Sequence, residues 1–64
     1  MSLYHVAVGR DGKTLCATFK KELAEETATA RGGRVYPVEA ENTFDARRLA
    51  ETLCAEDRKT RKTT

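Results

Sequence analysis

The hydrophobic and polar positions of this chain alternate with a strand-like period twice, then cycle, alternate and cycle again. Leu3-Tyr4-His5-Val6-Ala7-Val8 and Thr14-Leu15-Cys16-Ala17-Thr18-Phe19 are rich in β-favouring residues, and Gly9-Arg10-Asp11-Gly12-Lys13 separates them. An Asp-Gly pair between two such runs predicts a hairpin, because a type I′ turn needs positive φ at both central residues. With Asp11-Gly12 at the turn, Val8 faces Leu15, Val6 faces Ala17 and Tyr4 faces Phe19. This register gathers the large apolar residues on one face. It leaves His5, Ala7, Thr14, Cys16 and Thr18 on the other, and a slip of one residue would mix the two sets.

From Lys20 to Arg31 the period changes. Leu23, Ala24, Thr27, Ala30 and Arg31 fall on one side of a helix, and Glu22, Glu25, Glu26 and Thr29 on the other. Gly32-Gly33 then supplies the left-handed residue that ends many helices. Arg34-Val35-Tyr36-Pro37-Val38-Glu39-Ala40 reads as a third strand. Pro37 has no N–H for a ladder and so predicts an edge position. Asn42 or Thr43 suits the N-cap of a second helix, from about Phe44 to Asp57, with Ala46, Leu49, Ala50 and Leu53 as its buried stripe. The pattern stops beyond Arg58.

The order ββαβα predicts a small α+β domain over residues 1–57, with a basic, disordered tail over 58–64. The expected architecture is a three-stranded, mainly antiparallel sheet in order 2-1-3 with both helices on the Tyr4/Val6/Val8 face. That arrangement would leave the face with His5, Ala7, Thr14, Cys16 and Thr18 open, polar and flat.

Composition sharpens the picture. Of the 12 basic and 10 acidic side chains in 64 residues, Arg58, Lys59, Arg61 and Lys62 fall with one acid, Asp57, in the last eight positions. The body is therefore slightly acidic, and the formal charge of +2 belongs to the tail. A domain this small buries only about 60% of its unfolded-chain surface, which makes a deep active-site cleft hard to build and a partner or second copy useful. Two cysteines 38 positions apart match neither a disulfide scaffold nor a zinc motif. With no leader-like or membrane-spanning apolar run, the expectation is a reduced, cytoplasmic protein.

Candidate chemistry is sparse. His5 lies opposite Thr18 in the predicted register, so Cys16 is its diagonal neighbour, but a flat sheet offers neither a third orienting group nor an oxyanion hole. No glycine-rich phosphate loop is present, since Gly9–Gly12 leads into a strand and Gly32-Gly33 follows a helix. Glu22, Glu25 and Glu26 read as a solvated helix face. Arg10 and Lys13 flank the hairpin tip, and Lys20 and Lys21 occupy the electrostatically unfavourable start of a helix. No aromatic residue interleaves with the basic ones, so a stacking platform for single-stranded nucleic acid is missing. Phe44 reads first as a staple-like contact closing the strand-to-helix corner.

These residues predict no enzyme, metal site or cofactor. They point to a non-enzymatic protein-binding module, in the style of small phage or mobile-element inhibitors that block a functional surface of a larger host protein. The expected contact residues are His5, Arg10, Lys13, Thr14, Cys16, Thr18, Lys20 and Lys21. The alternative is a nucleic-acid-binding accessory protein using Arg58, Lys59, Arg61 and Lys62 with the hairpin and helix-start cations. A homodimer is compatible with either, and no membrane partner is expected.

Overall fold

Each β-favouring run forms a strand and each 3.6-periodic run a helix. A computed structural model of the chain describes the backbone of residues 1–62 and the side chains of residues 1–57. The elements are β1 (Ser2–Val8), β2 (Thr14–Thr18), α1 (Lys21–Arg31), β3 (Arg34–Ala40) and α2 (Thr43–Lys62). The sheet order is β2-β1-β3 and both pairings are antiparallel. The α+β class, the strand order and the edge position of Pro37 are as the sequence predicts. Consequently β2 and β3 run in the same direction on either side of β1.

The hairpin closes differently from the expectation. The Gly9 N–H donates to the Lys13 carbonyl at 2.8 Å, and the Gly12 N–H to the Gly9 carbonyl at 3.0 Å. The loop is therefore three residues, Arg10-Asp11-Gly12, and Gly12 alone takes positive φ, 85°. A type I′ turn would need Asp11 there as well. Asp11 instead accepts the Lys13 N–H on its side-chain oxygen at 3.1 Å. This closure pairs Val8 with Thr14, one residue off the predicted register. A bulge at Leu15 then restores the register, giving Ala7 opposite Cys16, Val6 opposite Ala17 and His5 opposite Thr18.

The helices occupy opposite faces of the sheet. Ala46, Ala50 and Cys54 of α2 pack on Tyr4, Val6, Val8, Val38 and Ala40. Ala24 and Ala28 of α1 pack on Ala7, between Cys16 and Val35. This corrects the expectation of two helices on one face, and the reason is width. Three strands span about 10 Å between their outer axes. One helix with its side chains is about as wide, so a single helix fills a face. Ala7 is fully buried at the centre of the face that the sequence leaves open.

The inward stripe of α2 is thus Ala46, Ala50 and Cys54, spaced by four. Leu49 and Leu53, expected inside, flank it and remain exposed. On α1, Ala24 and Ala28 point inward, while Leu23, Ala30 and Arg31 do not. Val6 and Val8 are the largest fully buried side chains.

Asn42 caps α2, its side-chain oxygen accepting the Asp45 N–H at 2.9 Å. The helix continues to Lys62, beyond the Asp57 expected from the pattern. The expectations for the tail concern Arg58, Lys59, Arg61 and Lys62, whose side chains lie outside the described residues. At the end of α1, Gly32 takes φ 69°, and the Gly33 N–H donates to the Ala28 carbonyl at 2.7 Å, a Schellman closure. Gly33 is required for a steric reason instead, because a Cβ there would sit 2.1 Å from the Val8 carbonyl oxygen.

Two consequences for stability follow. Ala50→Leu forces a larger side chain between α2 and the sheet and should destabilise by about 1–3 kcal/mol. Gly33→Ala must push β1 and β3 apart and should cost at least about 1 kcal/mol. Urea denaturation of both variants against the wild type measures these losses, and a midpoint unchanged in either would contradict the packing described.

Candidate functional site at the two ends of the sheet

The topology gives the sheet two chemically different ends. β1 begins where β2 and β3 finish, and both helices start at that same end. The opposite end holds the hairpin loop, the Gly32-Gly33 turn and the later turns of α2.

The loop end is tied by polar contacts to α2. The Glu51 carboxylate accepts both the Thr14 N–H at 3.2 Å and the Thr14 hydroxyl at 2.8 Å. The Asp57 carboxylate accepts from Arg34 Nη1 at 2.9 Å and from the Tyr36 hydroxyl at 3.3 Å. One helix therefore clamps the first residues of both edge strands. Val8, Gly9, Arg10, Gly33, Tyr36 and Cys54 help line a cleft of about 240 Å³ beside the second clamp. Burial under α2, reinforced by the neighbouring Cys54 and Asp57, pushes the Tyr36 hydroxyl up to about 12 from an ordinary 10.0.

The other end is apolar and uncovered. Met1 is 88% exposed, Phe44 67% and Phe19 63%, and Leu3 and Leu23 stand half-exposed beside them in the chain order of this end. Phe19 follows the last residue of β2 and stacks on Tyr4 of β1, with ring centroids 4.6 Å apart and planes at 29°. Phe44 lies in the first turn of α2. The staple-like burial expected of Phe44 is not found. Lys20 and Lys21 sit at this end as well, at the start of α1, where Lys21 Nζ lies 3.7 Å from Glu25.

The contact residues expected from the sequence are dispersed by this geometry. His5 and Cys16 are partly buried on the face that α1 covers, and Cys16 packs against the Ala7 cluster. Thr14 belongs to the opposite face through its bonds to Glu51, because the bulge at Leu15 reverses its expected side. Thr18 accepts the Lys20 N–H on its hydroxyl at 3.1 Å and serves the strand-to-helix corner. Arg10 and Lys13 are at the loop end, and Lys20 and Lys21 are at the apolar end. The five residues of β2 hold the two pairs about 15 Å apart.

The residues missed by the pattern are Met1, Leu3, Phe19 and Leu23. A signal for them exists, since each lies within a few positions of the start of β1 or of the β2–α1 corner. That placement becomes informative only when the strand directions are known. Among the described residues, no group of three or more His, Cys, Asp or Glu is arranged to hold a metal ion, and no helix is long and apolar enough to cross a membrane. Comparison of the chain with protein-family models, with curated proteins and with solved structures finds no match.

The Tyr36 environment has a pH consequence. The unfolded phenol loses its proton near 10.0 and the folded one near 12. Between these values the folded chain holds more protons than the unfolded one, so stability is complete below about pH 10 and falls as pH rises towards about 12. Tyr36→Phe should lose less stability over that interval than the wild type. Urea midpoints at about pH 9 and about pH 11 read the difference, and an equal change in the two proteins would refute the raised Tyr36 phenol.

Proposed function

We propose that this chain is a small non-enzymatic protein-binding module that captures a larger protein through its apolar end. In this reading it acts by occupying a surface of its partner rather than by transforming a substrate. Phe19 and Phe44 are the anchors, Leu3 and Leu23 extend the apolar contact, and Lys20 and Lys21 form part of a charged rim.

One observation carries the reading. The chain uses alanines and valines in its interior and leaves both phenylalanines and all five leucines exposed. Scattered exposed leucines are ordinary. Several large side chains gathered at one end of so small a domain are the composition of an interface centre, where aromatic anchors supply most of the binding energy. The three elements that begin there hold these residues on a rigid frame, so little ordering is needed on binding. The slightly acidic body gives less support to nucleic-acid binding, which would rest on residues 58–64.

The test compares the wild-type chain with a Phe19→Ser/Phe44→Ser variant, both immobilised and exposed to lysate. Retention of the partner should fall at least about tenfold in the variant, with its circular dichroism unchanged. Equal retention would sink the reading. So would the finding that the chain retains no protein but binds nucleic acid with a steep loss of affinity between low and moderate salt.

A further inference from the structure

The cleft at the loop end has a chemistry of its own, far from the apolar anchors. Two arginines, Arg10 and Arg34, and one acid, Asp57, line its volume of about 240 Å³. Gly9, Gly32 and Gly33 form part of its wall and bring no side chain into it. A Cβ at Gly32 would sit 3.0 Å from Arg10 Cδ. The stem of Arg10 therefore lies along the Gly32 backbone. This carries a charge from the hairpin loop to the cleft that the start of β3 reaches with Arg34.

The two guanidinium groups differ in their commitments. Arg34 donates from Nη1 to Asp57 Oδ2, and the Tyr36 hydroxyl donates to that same oxygen. Asp57 thus braces Arg34 through one contact. The other N–H groups of Arg34 meet no acceptor among the described residues. Arg10 forms no ion pair among the described residues. Its neighbour in the loop, Asp11, accepts the Lys13 N–H instead.

We propose that this cleft binds a phosphate group, free or carried by a small molecule, held between Arg10 and Arg34. A guanidinium pairs with a phosphate through two parallel N–H···O bonds. Two such groups arriving from different elements suit a tetrahedral oxyanion, whose oxygens point several ways, better than a flat carboxylate. Two cations against one acid favour an anion over a cation. The cleft is several times the ~30 Å³ share of a water molecule, which gives room for a phosphate and the first atoms of its carrier. The glycine wall lets that anion approach the backbone without meeting a Cβ. The inference does not depend on protein capture, because the apolar anchors stand at the far end of the sheet.

Titration of the full chain with inorganic phosphate and with glycerol phosphate tests the site, at an ionic strength held constant with sodium chloride. Amide and arginine side-chain NMR signals are the readout. The expected result is a saturable shift confined to Gly9, Arg10, Gly32, Gly33 and Arg34. Tighter binding of glycerol phosphate would assign the site to a phosphorylated small molecule, and equal binding to free phosphate. Arg10→Gln should weaken either ligand about tenfold or more, the scale of one lost charge-assisted contact. Arg10→Lys should recover only part of that loss, because an ammonium cannot pair bidentately. Arg34→Lys keeps a cation beside Asp57 and should also weaken binding with the fold retained. Shifts that never saturate, shifts spread over all the cations, acetate binding as tightly as phosphate, or binding indifferent to both arginine positions would each overturn the proposal.

Discussion

The structure depends on close approach between small side chains on the two faces of a narrow sheet. Ala7 accepts Ala24 and Ala28 on one side. Val6 and Val8 accept Ala46, Ala50 and Cys54 on the other. A three-stranded sheet has room for one helix per face, and each helix must lie low to exclude water from so thin a layer. Alanine at four-residue spacing permits that approach, and it also explains where the bulk went. Once the inward stripes are small, leucine and phenylalanine can only flank them or stand outside.

Two polar clamps and one glycine hold the loop end of this sandwich in register. Glu51 and Asp57 reach from α2 to the first residues of β2 and β3, and Gly33 lets β3 start against the Val8 carbonyl. The ion pair of Arg34 with Asp57 is half-exposed, so its contribution lies in orientation more than in strength. The stacking of Phe19 on Tyr4 is the counterpart at the far end, where apolar contact replaces hydrogen bonding.

Much of the fold was legible before the structure. Alternation located the strands, Pro37 marked an edge, and Gly32-Gly33 ended the first helix. The face assignment was not legible, because alanine is ambiguous in a pattern of apolar and polar positions. Ala7 beside His5 and Cys16 reads as part of a polar surface until a helix bearing Ala24 and Ala28 is set upon it. Leu49 and Leu53 mislead in the opposite sense, since a leucine at helical spacing is ordinarily taken as core. The expected hairpin register holds from Ala7 back along β1 only because two one-residue offsets, the three-residue loop and the bulge at Leu15, cancel. The candidate site was less legible still. Met1, Leu3, Phe19, Leu23 and Phe44 are spread over 44 positions of sequence, and only the strand directions bring them to one end.

The two helices do not touch each other among the described residues, so the sheet is the only mechanical link between them. Each is a separate lid on a shared floor. Lifting α1 would wet Ala7, Cys16 and Val35 while α2 kept its hold on Tyr4, Val6 and Val8. Local opening on the α1 side is thereby insulated from the α2 side, and amide exchange in the two helices should report two different protection levels within one small domain.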